Sequence, residues 1–109
     1  METKEIEIEF NGKLETVVIK RLTYGERAKY RKESRKIFWI GGVQKVEVDE
    51  ERQAIAALKY GIKSAPFNHE DDNAIRNLPG NIGDMLFQEI DSFNSLDEKK
   101  SKSSETPSG

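Results

Sequence analysis

The sequence predicts an α+β domain: an N-terminal β-hairpin packed on a small bundle of three to four helices, with a disordered C-terminal tail. Three observations carry that expectation. Two runs rich in β-forming residues flank Asn11-Gly12, and Asn-Gly between such runs is the strongest short-range hairpin signal. Downstream, apolar residues return at helical spacing, in segments that open on capping residues. From Asp97 to Gly109 there is no large apolar residue, and Ser and Lys dominate. Such a composition cannot bury enough surface to offset the entropy of folding. The expected organisation is one domain over residues 1–96 and a tail over 97–109.

In the first run Ile6, Ile8 and Phe10 alternate with Glu5, Glu7 and Glu9, so one strand face is wet and acidic. The second run, Leu14 to Ile19, is apolar on both faces at Val17-Val18-Ile19, and one of those faces is expected to meet a helix. Thr23-Tyr24-Gly25-Glu26 forms a capping box, in which a hydroxyl and a carboxylate answer each other's backbone N–H. A helix is expected from about Tyr24 to about Phe38, with Tyr24, Ala28, Tyr30, Ser34, Ile37 and Phe38 inward. Phe38-Trp39-Ile40 is an apolar cluster stopped by Gly41-Gly42. A lone tryptophan there is expected in the core, the alternative being that Trp39 is a binding anchor. Val43 to Val48 reads as a short strand or an extended connection.

Asp49 reads as a helix N-cap, with Glu50 and Glu51 in the first turn where the helix dipole favours acids. Ile55, Leu58 and Ile62 form that helix's apolar stripe, and Ser64-Ala65-Pro66 is expected to end it, because the residue before proline disfavours helix. Asp71 or Asp72 can cap a short helix through Ala74 and Ile75. After the turn at Pro79-Gly80, Asn81 is expected to cap the last helix, running to about Leu96. Its stripe is Ile82, Met85, Leu86, Ile90 and Phe93, with Asp84, Gln88, Asp91 and Asn94 between. Part of that stripe should pack on the Ile55-Leu58-Ile62 helix. Met85 and Phe93, with Phe87 on the flank, are then candidate partner-binding residues, together with Trp39.

The chain has 109 residues, of which 35% are apolar and 35% charged, and a net charge of -2. That charge is unevenly placed. Lys20 to Lys36 holds eight basic and two acidic residues, the footprint of a phosphate binder. Its alternative basic face is Arg27, Arg31, Lys32, Arg35 and Lys36. Glu26 and Glu33 interrupt it, and the acidic hairpin could lie nearby, so a solvated helix face is the plainer expectation and nucleic acid stands behind protein as a partner. There is no cysteine, one histidine and no Gly-rich phosphate loop, so nucleophilic and nucleotide chemistry lack their parts. The chain is expected to be non-enzymatic and without cofactor. His69 with Glu70, Asp71 and Asp72 lacks the alternate spacing and glycine turn of a calcium loop. Those carboxylates read as solvated helix caps. No apolar h-region opens the chain and no apolar run approaches about 18 residues. No secretory signal or membrane span is therefore expected, and the location expected is cytoplasmic.

The order of these elements resembles the tail assembly chaperones of long-tailed phages and proviruses. The likeness covers roughly Phe10 to Leu96. It is carried by the Leu-Thr-Tyr-Gly-Glu start at Leu22–Glu26, the Ala65-Pro66-Phe67 break, and the turn into a final helix over Leu78–Leu86. The resemblance implies a non-enzymatic protein that binds the tape measure protein and keeps it soluble while the tail tube assembles, with the tube protein a second candidate partner. It implies work in the host cytoplasm, absence from the finished virion, and in many members a longer frameshifted form. It brings no catalytic residues, and the sequence does not set an oligomeric state.

Overall fold

A computed structural model of the chain describes residues 2–95. Leu96 and the expected tail Asp97–Gly109 lie outside the described residues. The first hairpin pairs β1 (Thr3–Phe10) with β2 (Lys13–Lys20), antiparallel. Phe10 opposite Lys13 leaves Asn11-Gly12 as a two-residue loop, with φ of 55° and 78°. Positive φ at both positions is the geometry of a type I′ turn, which Asn and Gly tolerate best. Ile6, Ile8, Val17 and Ile19 are buried, whereas Glu5, Glu7, Glu9 and Leu14 are exposed. The acidic face is therefore the wet one.

Helix α1 (Tyr24–Glu33) starts at the expected capping box: Glu26 N–H donates to Thr23 Oγ1 at 3.1 Å, and Thr23 N–H to Glu26 Oε1 at 2.9 Å. It ends earlier than expected. Ser34 is its C-cap, and Arg35 begins β3 (Arg35–Ile40), paired with β4 (Val43–Val48). The helix expected through Phe38 is thus corrected to helix, cap and strand. Ile37, Phe38, Trp39 and Ile40 are β-branched or aromatic, and Gly41-Gly42, at φ 57° and 80°, closes a second two-residue turn. Three inward assignments also change, Ile37 among them, since it is exposed on β3. Tyr24 is 85% exposed and Ala28 is exposed, while Tyr30 and Ser34 are buried as expected.

Helix α2 (Glu50–Gly61) follows, with Asp49 accepting from Arg52 N at 3.0 Å as its N-cap. It stops before Ile62, earlier than the expected break at Ala65-Pro66. β5 (Ile62–Ser64) joins β2 antiparallel, giving a sheet ordered β1-β2-β5. β2 is therefore the middle strand, with Val17 and Ile19 buried and Val18, opposite Glu5, partly buried. Ile62 is buried on a strand rather than on a helix stripe.

Asp71 caps the short α3 (Asp72–Arg76) by accepting from Asn73 N at 3.0 Å. Helix α4 (Gly80–Asn94) begins one residue before the expected Asn81 cap. Pro79 is the N-cap; no side chain caps the helix, and the N–H groups of Ile82 and Gly83 both donate to the Pro79 carbonyl at 3.0 Å. Proline's fixed φ already suits that position.

The core joins Val17, Ile19, Ile55, Leu58, Ile62, Leu86 and Ile90 between sheet and helices. Leu86 and Ile90 are wholly buried, each contributing about 1.5–3 kcal/mol. Gly61 lets α2 and α4 approach: a Cβ there would lie 2.5 Å from Ile90 Cγ2. Asn94 is 1% exposed, although its place between stripe residues reads as polar surface. Its Oδ1 accepts from Leu22 N–H at 2.7 Å, and its Nδ2 donates to the carbonyls of Lys20 and Ile90, both at 3.1 Å.

Candidate functional site

Among the described residues, the second hairpin is the least covered element. It leaves the body where α1 ends and α2 begins. Asp49 N–H donates to Ser34 O at 2.8 Å, and the Ser34 hydroxyl donates to Tyr30 O at 2.6 Å, which ties the base of the hairpin to buried α1 backbone. Beyond that base every residue of β4 is exposed, as is every residue of β3 except the partly buried Phe38. The strands span about 20 Å at roughly 3.3 Å per residue. We call this element the arm.

An exposed strand pair is normally polar, because a lone hairpin is marginal in water and bare apolar edges aggregate. The arm is not polar. Trp39 is 67% exposed, and Ile37, Ile40, Val43, Val46 and Val48 are each more than half exposed. The register sorts them into two faces. Arg35, Ile37 and Trp39 lie opposite Val48, Val46 and Gln44, and Lys36, Phe38 and Ile40 lie opposite Glu47, Lys45 and Val43. A contiguous exposed apolar patch marks an interaction surface. Trp39 is therefore not the core residue expected of a lone tryptophan.

The first face borders α1. Ala28, Arg31 and Lys32 from the helix, with Arg35, Ile37 and Val46 from the arm, line a groove of about 380 Å³. Its floor is apolar and its rim is basic. Arg31, Lys32 and Arg35 carry no ion pair among the described residues. Three other bases of the Lys20–Lys36 segment are engaged. Lys20 pairs with Glu26 at 2.7 Å, Arg21 lies 4.6 Å over the Phe93 ring, and Arg27 donates to the Asn94 carbonyl. Lys36 lies near Asp49, whose carboxyl is held below its usual range mainly by the Arg52 N–H. The basic face is thus narrowed to its outer part.

The α4 candidates sit elsewhere. Met85, Phe87 and Phe93 are partly buried and packed against the core, flanking the buried line Ile82-Leu86-Ile90. Phe93 lies beneath Arg21. The structure does not bring these three onto one element with Trp39.

A second cleft, of about 590 Å³, lies between α1, α2 and α3. Several of its charges pair with one another. Lys59 bridges Glu33 at 2.9 Å and Asp72 at 3.0 Å, and Arg76 pairs with Glu51 at 3.1 Å. Burial opposes ionisation of Glu33, but hydrogen bonds from Tyr60 and Lys59 outweigh it and hold the carboxyl below its ordinary value. Burial likewise disfavours the Lys59 cation, and Glu33 and Asp72 outweigh that and raise it. Here Asp72, offered by the sequence as part of an acidic loop, is an ion-pair partner, and Asp71 is a cap. Among the described residues no cluster of three His, Cys, Asp or Glu is placed to hold a metal, and no helix is long and apolar enough to cross a membrane.

No arm was visible in the linear reading, though its signal was present: Gly41-Gly42 between two β-rich runs is a hairpin turn. Compared with known proteins, the chain matches no family model, no curated protein and no solved structure.

Proposed function

We propose that this chain is a tail assembly chaperone of long-tailed phages or proviruses, a binding protein without chemistry that keeps the tape measure protein soluble while the tail tube assembles. On this reading it works in the host cytoplasm, has the tube protein as a second candidate partner, and leaves the finished virion. One observation carries the proposal beyond the resemblance of the sequence: the arm holds Trp39 and five aliphatic residues in water on an anchored base. A holdase needs an apolar surface that stays folded when empty, and its client helices need their own apolar faces covered.

The test is co-expression of a tape measure fragment with the chain, scored by partition between supernatant and pellet. The fragment should stay soluble with the wild type and precipitate with Ile37→Ser/Trp39→Ser. Equal solubility with both rejects the arm as the capturing surface, and precipitation with the wild type rejects the chaperone reading.

A second reading, nucleic-acid binding through Arg31, Lys32 and Arg35, is favoured by these cations, which carry no ion pair among the described residues, and by an exposed indole on the same arm. Phosphate binding weakens steeply with added salt, whereas apolar capture barely responds.

A further inference from the structure

We propose that the groove between the arm and α1 docks a short acidic amphipathic helix of the partner. The inference rests on the reading that the arm is the binding surface, and it specifies the chemistry of what is bound. A two-stranded sheet with a bare face reaches a stable arrangement when a helix covers that face. α1 already lies along one side of this face. A partner helix on the floor of Ile37 and Val46 would sit beside α1 and extend its layer. The floor demands apolar residues at i, i+3, i+4 and i+7 of the occupant. The rim demands carboxylates on its flanks, because Arg31, Lys32 and Arg35 converge there without ion pairs among the described residues. Arginine presents a planar fork that fits a carboxylate with two parallel hydrogen bonds, which gives orientation as well as attraction. Trp39 continues the same strand face past Ile37, and tryptophan and arginine are the residues that most often dominate binding energy. A nucleic acid would use the cations and the indole but would leave Ile37 and Val46 against a charged backbone, so the apolar floor favours protein.

The probe is a dye-labelled synthetic helix with Leu at i, i+3, i+4 and i+7 and Glu on both flanks, titrated into the full chain by fluorescence anisotropy. The controls are the same peptide with Lys for Glu and a single-stranded DNA oligonucleotide. The expected result is saturable binding of the Glu peptide and little binding of the Lys peptide. Arg31→Glu/Arg35→Glu should weaken the Glu peptide on the order of tenfold or more, with an unchanged melting curve. Lys32→Glu, confined to the α1 rim, provides a second variant should the double change disturb the arm. The proposal is overturned if both peptides bind alike, if neither binds, or if the substitutions have no effect. It is equally overturned if the oligonucleotide binds in preference. Concentration-dependent self-association that is lost in the same variants, and that the peptide cannot compete, would make a second copy the occupant. Variants that lose the Glu peptide yet still keep the tape measure fragment soluble would reject the groove and leave the chaperone reading standing.

Discussion

Asn94 offers the sharpest test of how the body is held together. Its side chain joins the last turn of α4 to the junction between β2 and α1 through two groups of opposite polarity. Asn94→Ala leaves the Leu22 N–H without that oxygen, at a residue only 7% exposed. An orphaned buried donor costs about 1–3 kcal/mol, and the lost bond to the Lys20 carbonyl adds about 0.5–1.5 kcal/mol. The bond to Ile90 O counts for little, because that carbonyl lies within the helix ladder. The expected loss is roughly 2–4 kcal/mol, a large share of the 5–15 kcal/mol that holds a typical domain. For a domain of this size it lowers Tm by roughly 10–30 °C. Asn94→Asp separates the two groups. It keeps the acceptor for Leu22 but turns a carboxylate toward two carbonyls, so its folded-state pKa should lie above the unfolded value. A raised carboxyl is destabilising while ionised, and stability should return as pH falls through the folded value and the acid regains an O–H donor. Thermal melts of both variants from pH 4 to 8 check this. An Asn94→Ala melt within about 2 °C of wild type, or an Asn94→Asp melt that tracks wild type across that range, would show that α4 is not pinned at this point.

Other outcomes follow from other contacts. Gly61→Ala places a methyl group 2.5 Å from Ile90 Cγ2; overpacking of about 1–3 kcal/mol should exceed the gain in helix propensity of about 1 kcal/mol, and Ile90→Leu should partly rescue it in a double-mutant cycle. A Gly61→Ala protein that melts at or above wild type contradicts that contact. Gly12→Val forces a β-branched residue to φ 78° and should destabilise by about 1–2 kcal/mol, read as a lower denaturant midpoint. The Glu33 carboxyl is depressed from 4.5, so its contribution is present above that pH and fades as pH falls through the lower folded value. The effect is small at a partly exposed pair, and Glu33→Gln should flatten the acid limb of the stability curve. Trp39→Ser should leave stability within about 0.5 kcal/mol of wild type, whereas Leu86→Ala, at a wholly buried site, should lose about 2–5 kcal/mol. Equal losses would place Trp39 in the core after all.

The parts legible in the sequence were those with local chemistry. Asn11-Gly12, the Thr23–Glu26 box and the Asp49 cap each act within a few residues, and each begins an element where expected. Failures came where local patterns agreed with two structures. Arg35 and Lys36 suit a helix surface as well as an arm, and Ile37 continued the spacing of Tyr30 and Ser34, so nothing in that stretch marked the end of α1. β5 is three residues long and exists only because β2 offers it an edge. Asn94 looks solvated on a helical wheel, and only the arrival of Leu22 from a remote segment makes it buried. Trp39 followed the general habit of tryptophan, and its exposure depends on no other element reaching it. For the candidate site, the residue types were legible in Trp39 and the basic face, but their assembly into a groove required the second hairpin.

The single closure at the base of the arm has a consequence for how such a protein can change over time. Arg35–Val48 enters and leaves the body at one point, where the Asp49 N–H meets the Ser34 carbonyl, and the buried cluster uses none of its residues. Insertions at such a junction add closure entropy only slowly with length. Substitutions in the arm can therefore accumulate without renegotiating the stability of the body, whereas the α1 residues Ala28, Arg31 and Lys32 that border the arm tie the shape of its groove to the body. A chimera that carries another arm on these two helix ends should fold with the body's own melting temperature.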